Sequence, residues 1–161
     1  MTIHELEAYG TERMDDDDVV QFLSNQDTAV LALPTDGAPS MRPLSFHFDG
    51  ESGVYFVYVL GGESRKADLS DRADVARLLV YSMETASNWR SVLLTGTISR
   101  VTESEADQLD ATMETARPEV FRQAIESEHT ELYRFDIEDR TGIKYVGLPP
   151  GFEPDEDGGE K

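Results

Sequence analysis

The run TAVLALPTDGAPSMRPLSFHFDGESGVYFVYVL, from Thr28 to Leu60, decides the fold class. Thr28–Leu33 and Ser40–Phe48 have strand-forming composition, and the turn signal Asp36-Gly37 between them predicts an antiparallel hairpin. The next strand, Val54–Leu60, is apolar or aromatic at all seven positions. Such a strand has no polar face, which indicates burial on both sides.

Further elements are predicted on both sides of this run. The predicted helices are Met14–Ser24, Ser64–Arg72, Thr102–Ala116 and Pro118–Ser127, and the remaining predicted strands are Val75–Met83, Ser91–Val101 and Leu132–Ile137. Gly96 is expected at a bend or bulge within its strand. This order of elements predicts a mostly antiparallel β-barrel with peripheral helices.

Charge narrows the possible partners. The chain has 161 residues, with 33 acidic against 14 basic residues and a net charge of −19. This charge disfavours nucleic acid and anionic membranes as partners and favours a small molecule or a second copy of the chain. Because acids occur in every segment and only Lys66, Lys144 and Lys161 are lysines, we interpret the surface as halophilic. The alternative is an acidic protein without a salt requirement.

Length and segment composition predict one domain over residues 1–148 and a disordered acidic tail at 149–161. The start, MTIHELEAYG, lacks the cationic and apolar regions of a signal peptide, and no apolar run approaches the ~20 residues that cross a bilayer. We therefore expect a cytoplasmic protein with no membrane association. The chain has no cysteine and only three widely separated histidines, so no metal site is expected.

The segment GGESRK, Gly61–Lys66, is the sharpest candidate for chemistry, because it lies at a predicted strand-to-helix junction. Helix N-termini favour anions, yet Arg65 and Lys66 place two cations there. A bound phosphate would resolve this conflict, with Ser64 and backbone N–H groups donating to it. The alternative is an exposed ion pair with a neighbouring carboxylate.

The strand segment RPLSFH is the second candidate. Pro43 in mid-strand gives up a ladder donor, which indicates an edge, a bulge or a ligand beside the backbone. Arg42 can reach the same anion as GGESRK or be an ordinary surface arginine. His47 can donate to a ligand, act as an acid or base, or be structural.

Two further features leave alternatives open. Trp89, the only tryptophan, is predicted in a polar loop, where it can flank an aromatic ligand or anchor a core or interface. The outer face of the apolar strand Val54–Leu60 needs a cover. A second protomer would provide it, which predicts a homodimer, and helices of the same chain are the alternative.

Together, the segments LALPTDGAPSMRPLSFHFDG, VYFVYVLGGESRK and WRSVLLTGTISRV resemble the pyridoxamine 5'-phosphate oxidase-like flavoproteins, over roughly Val19–Val146. The resemblance implies a split β-barrel that is mostly β, with antiparallel strands, and a homodimer with FMN at the interface. It also implies which residues bind the cofactor. Those matching the phosphate motif are Ser64, Arg65 and Lys66; those along the ribityl chain and flavin ring are Arg42, Pro43, Leu44, Ser45, Phe46 and His47; and those approaching from near the interface are Trp89 and Arg90.

The chain departs from the full oxidase pattern at its end, where an acidic tail replaces the region that binds the substrate phosphate. It is more similar to the smaller, nitroimidazole-reductase-like branch. The implied function is an FMN-dependent oxidoreductase acting on an unidentified small molecule, with no side chain standing out as a catalytic acid or base. The alternatives are a deazaflavin-dependent reductase and a non-catalytic flavin carrier or sensor.

Overall fold

The computed structural model describes residues 10–59, 75–102, 104–105 and 130–147. These ranges contain one well-defined helix, α1 (Asp16–Ser24). Their strands are β1 (Glu12–Arg13), β2 (Thr28–Leu33), β3 (Ser40–Phe48), β4 (Gly53–Val59), β5 (Ala76–Thr85), β6 (Asn88–Arg100) and β7 (Thr130–Val146).

The strands form one sheet in the order β1-β7-β4-β3-β2-β5-β6, and β6 pairs back onto β7. Strands β2 to β7 therefore close into a six-stranded barrel, in which every pairing is antiparallel. Closure removes free sheet edges wherever neighbouring strands stay paired. The predicted mostly antiparallel barrel is confirmed.

The barrel interior follows from the alternation of side chains along each strand. In β2, Ala29, Leu31 and Leu33 are buried, and the residues between them are less buried. The same alternation places Phe46 and Phe56 among the largest fully buried side chains. Burying a side chain of this size contributes about 1.5–3 kcal/mol to stability.

Helix α1 packs against the barrel through Val19, Phe22 and Leu23. Asp15 caps it, because its Oδ1 accepts a 2.8 Å hydrogen bond from the backbone N–H of Asp18. The predicted helix Met14–Ser24 is thus confirmed, and it begins at Asp16 because Asp15 adopts an extended backbone.

Two cations of β7 hold the acidic first turn of α1. Arg140 donates to both carboxylate oxygens of Asp16, at 2.6 and 2.7 Å, and this interaction lowers the pKa of that carboxyl. Arg140 also donates to the carbonyl of Glu51, so one side chain ties the helix to the β3–β4 turn. Lys144 Nζ lies 3.3 Å from Asp18 Oδ2.

Strand β4 is buried on both faces, as predicted, where its side chains are described. Val54 and Phe56 belong to the main core, whereas Tyr55, on the opposite face, packs in a second cluster with Leu132. Tyr55 is only 3% exposed within a single chain. Its burial therefore needs no second protomer, and the homodimer stays a prediction that this residue does not support.

Strands β6 and β7 are longer than predicted. β6 begins at Asn88, so Trp89 lies in a strand and not in the predicted polar loop. β7 continues for nine residues beyond the predicted end at Ile137, because pairing with β6 supports its polar stretch. The predicted irregularity at Gly96 is confirmed by a register shift between Thr95 and Gly96.

Several predicted elements lie wholly or partly outside the described residues. The predicted helices Ser64–Arg72 and Pro118–Ser127 and the tail 149–161 lie outside the described residues. Only the start of the predicted helix Thr102–Ala116 is described, where Thr102 and Glu105 exchange the hydrogen bonds of a capping box. Among the described helical residues, none forms a segment long and apolar enough to cross a membrane.

Candidate functional site

The barrel opens between β3 and β4. These strands pair only at Phe46 with Phe56, His47 with Tyr55 and Phe48 with Val54. Beyond this point the rest of β3 pairs with β2, and the rest of β4 pairs with β7. A gap therefore separates the two strands, and we call it the β3–β4 gap.

Backbone groups of β3 face this gap. The N–H of Phe46 donates to the carbonyl of Asp27, on the β2 side, at 2.9 Å. Because N–H groups alternate between the two edges of a strand, those of Met41 and Ser45 point towards the gap. Among the described residues they have no strand partner.

Pro43 lies at a position of β3 where the absence of an N–H group removes no hydrogen bond between β3 and β2. It is opposite Val30 in a non-hydrogen-bonded pair, and its nitrogen faces the gap. Of the three explanations predicted for this proline, the structure shows a strand edge. The carbonyls of Met41 and Pro43 face the gap with the two free N–H groups, so this edge can hydrogen-bond the polar edge of a planar ligand.

The six predicted residues of β3 divide between the two faces of the sheet. Arg42, Leu44 and Phe46 share the face of the buried residues, with Phe46 1% exposed and Arg42 exposed. Pro43, Ser45 and His47 lie on the opposite face. A ligand on the outside of the sheet would meet the second set.

The outside of the sheet carries a continuous apolar surface, which we call the outer sheet face. Val30 is the cross-strand neighbour of both Pro43 and Leu79, and Leu79 is the neighbour of Leu93. The proline at the gap is therefore connected to β6 through two apolar side chains. Exposed Tyr81 and Met83 extend this face along β5.

A cavity of about 360 Å³ opens on the outer sheet face. Its lining combines the apolar side chains of Leu79, Leu93 and Ile143 with the hydroxyl of Ser91 and the guanidinium of Arg13. This size and mixture are typical of a small-molecule site. The sequence reasoning missed Leu79, Ser91 and Leu93, although their alternation with buried Leu78, Val92 and Leu94 was a usable signal once the strands were placed.

Trp89 and Arg90 are separated by the same alternation. Trp89 lies on the outer sheet face and stacks on Tyr145, with ring centroids 6.4 Å apart. Its side chain is half-buried, so Trp89 forms part of the outer sheet face and does not belong to the core. Arg90 points to the other side of the sheet, into a second cavity beside α1. The structure therefore does not bring these two predicted residues together.

Polar side chains border the closed end of the β3–β4 gap. Arg134 donates to the hydroxyl of Tyr55, at 2.5 Å, and to Asp136, at 2.6 Å. Burial raises the pKa of Tyr55, and the hydrogen bond to Asp136 raises the pKa of Arg134. Tyr55 therefore stays protonated and Arg134 stays charged at neutral pH, directly beside His47, the cross-strand neighbour of Tyr55.

The predicted phosphate-binding residues Ser64, Arg65 and Lys66 lie outside the described residues. They follow β4, which forms one side of the gap and is described up to Val59. Their predicted role stays a prediction.

A closed antiparallel barrel in which two neighbouring strands part after three paired residues is a split β-barrel. The family model described as pyridoxamine 5'-phosphate oxidase matches residues 15–144 of this chain. Because this match covers most of the sequence, the chain belongs to that family, and the resemblance predicted from the sequence is confirmed. A search of curated proteins finds no significant match.

Solved structures share the fold at low sequence identity. A FAD-binding protein from Mesorhizobium loti aligns with a TM-score of 0.64 and 16% identity, over 84% of this chain and 99% of its own. A candidate 5-nitroimidazole antibiotic resistance protein from Bacteroides thetaiotaomicron gives 0.63 and 15%, over 84% and 87%. The heme storage protein HutZ from Vibrio cholerae gives 0.63 and 16%, over 81% and 96%. These likenesses show the fold alone.

Proposed function

We propose that this protein binds FMN and transfers electrons or hydride between the flavin and a small molecule. The observation that carries the proposal is the open β3 edge beside an apolar cavity, in a chain of the pyridoxamine 5'-phosphate oxidase family. The flavin supplies the redox chemistry when bound, and the chain supplies position and electrostatics.

The residues present fit the parts of a flavin. An isoalloxazine ring has apolar faces and a polar edge of alternating donors and acceptors. The outer sheet face offers apolar contact through Pro43, Leu79 and Leu93, and the edge of β3 offers the N–H of Ser45 and the carbonyl of Pro43. A cofactor phosphate would be held by Ser64, Arg65 and Lys66, in agreement with the anion preference of that segment.

FMN is favoured over riboflavin by the phosphate motif, since riboflavin has no phosphate. One solved neighbour is a FAD-binding protein and another stores heme, so the fold accommodates more than one cofactor. A deazaflavin coenzyme remains the alternative within the reductase function. A carrier or sensor without turnover is the alternative from another class.

We further propose a homodimer with the flavin at the interface. The support comes from the outer sheet face, where Tyr81 is 56% and Met83 65% exposed and where Trp89 and Tyr145 present aromatic rings. Met41 extends the same apolar surface along β3. Contiguous exposed apolar residues mark interaction surfaces, and a second copy would cover both them and the ligand cavity.

The phosphate assignment is tested by FMN and riboflavin titrations of Arg65→Ala and Lys66→Ala. Each substitution removes a charge-assisted contact of about 1.5–3 kcal/mol, so FMN affinity should fall about 10- to 150-fold while riboflavin affinity is nearly unchanged. FMN affinity equal to that of the parent protein in both variants would reject the assignment and favour the exposed ion pair.

Enzyme and carrier are separated by turnover. The reduced flavoprotein should be reoxidised faster by an electron acceptor such as a 5-nitroimidazole than by buffer alone, under exclusion of oxygen. An acceptor panel that leaves the reoxidation rate unchanged would favour the carrier or sensor.

A further inference from the structure

A second cavity, of about 380 Å³, lies between α1 and the ends of strands β5, β6 and β7. Its polar lining is unlike that of the cavity on the outer sheet face. Six polar or charged side chains of the lining can contact a ligand: Asp18 and Gln21 of α1, Ser82 and Glu84 of β5, Arg90 of β6 and Lys144 of β7. Because Arg90 lies on the side of the sheet opposite Trp89, this cavity is separate from the proposed flavin site.

The charged side chains of this cavity differ in whether they have hydrogen-bond or ion-pair partners among the described residues. Lys144 pairs with Asp18 at 3.3 Å, and Glu84 Oε2 accepts a 2.8 Å hydrogen bond from Asn88. The side chain of Arg90 has no hydrogen-bond or ion-pair partner within the part of the chain that the structure describes, although the chain has 33 acidic residues. Its guanidinium presents a fork of donors that matches a carboxylate.

The other lining groups define the rest of the ligand. Asp18 and Glu84 would repel a doubly charged phosphate but would accept hydrogen bonds from an ammonium group. The side chains of Gln21 and Ser82 add neutral donors and acceptors, and the four charged side chains cancel to a net charge of zero. A lining of this kind suits a ligand that itself carries one positive and one negative group.

We propose that this cavity binds a small zwitterion of the α-amino acid type. Arg90 binds the carboxylate of the ligand, and Glu84 accepts from its ammonium group through the oxygen that Asn88 leaves free. The proposal is independent of flavin binding. It gives Arg90 a role other than the cofactor contact predicted from the sequence.

The test uses glycine as the probe, titrated into the full-length protein at constant ionic strength. The Nε–H NMR signal of Arg90, assigned by its loss in Arg90→Lys, should shift saturably with glycine. In Arg90→Gln the glycine affinity should fall about tenfold or more, and Arg90→Lys should retain part of it because it keeps the charge and loses the fork. Arg77→Gln is the matched control, because Arg77 is an exposed β5 arginine outside this cavity.

Acetate and inorganic phosphate complete the test. Acetate should bind more weakly than glycine, because it lacks the ammonium group, and phosphate should bind more weakly still. An Arg90 signal that does not respond to glycine would overturn the proposal. Acetate or phosphate binding as tight as glycine, or an equal loss of affinity in Arg77→Gln, would also overturn it.

Discussion

Ser45 is the residue at which the contribution of the β3 strand edge to ligand binding can be tested most selectively. Its N–H faces the gap, as the nitrogen of Pro43 does, so a proline there removes a donor to the ligand without removing a bond to β2. We predict that Ser45→Pro folds and loses about 2- to 12-fold in FMN affinity, the range for one neutral hydrogen bond.

Ser45→Ala is the matched control, since it removes the hydroxyl and keeps the N–H. It should bind FMN as the parent protein does, with both affinities measured by flavin fluorescence. If the alanine variant loses as much affinity as the proline variant, the hydroxyl and not the strand edge contacts the ligand.

Gly96 allows β6 and β7 to approach each other closely at one point of their pairing. A Cβ atom there would lie 2.0 Å from the carbonyl oxygen of Asp136 and 2.8 Å from the ring of Phe135, so the two strands could not keep their separation. We predict that Gly96→Ala lowers the free energy of unfolding by about 1–3 kcal/mol or more, measured by urea denaturation. Gly37→Ala, where a Cβ would meet nothing within 4 Å, should change stability by less than about 0.5 kcal/mol. Equal effects of the two substitutions would contradict the role of this close approach.

At the scale of elements, hydrophobic patterning is sufficient to predict β2, β3 and β4, because their apolar residues repeat with strand periodicity or run without interruption. It is insufficient for the polar second half of β7, whose Glu138, Asp139 and Arg140 are ordered by pairing with distant residues. β1, with two residues, is also ordered by pairing with β7.

The site depends on register, which no local pattern specifies. Pro43 correctly indicated an edge, but the parting of β3 and β4 after Phe46 follows from how β4 shifts its pairing to β7. The family resemblance groups Trp89 with Arg90, and the predicted strand, which begins three residues too late at Ser91, does not separate them. Once the strand begins at Asn88, alternation alone assigns them to opposite faces.

For the whole molecule, the outer sheet face predicts how two chains associate. The double substitution Tyr81→Glu with Met83→Glu places charges on its most exposed apolar residues and should convert a dimer to a monomer at high salt, as measured by light scattering. Ser99→Glu is the control, because Ser99 is exposed and lies near the end of β6 opposite to Trp89, away from Tyr81 and Met83. A parent protein that is monomeric with FMN bound would reject the proposed dimer.

The charge of the whole molecule predicts its response to salt. A dimer would carry twice −19, or −38, and its carboxylates repel one another when unscreened. Salt also weakens local attractions such as Arg140 with Asp16, but these involve few cations against 33 acids per chain. We therefore predict a rising unfolding midpoint and better FMN retention between about 0.1 M and 2 M KCl, where the Debye length drops from ~10 Å to below ~3 Å. A flat or falling midpoint would contradict the halophilic interpretation.

The central claim is that the split barrel holds FMN, and the most direct measurement is the identity of the small molecule that leaves the denatured protein. Protein purified at about 2 M KCl, where repulsion is screened, should be yellow and release one FMN per chain, identified by mass and absorption spectrum. Release of a deazaflavin coenzyme or heme would contradict FMN as the cofactor. A colourless protein that does not bind added FMN would contradict the flavoprotein account itself.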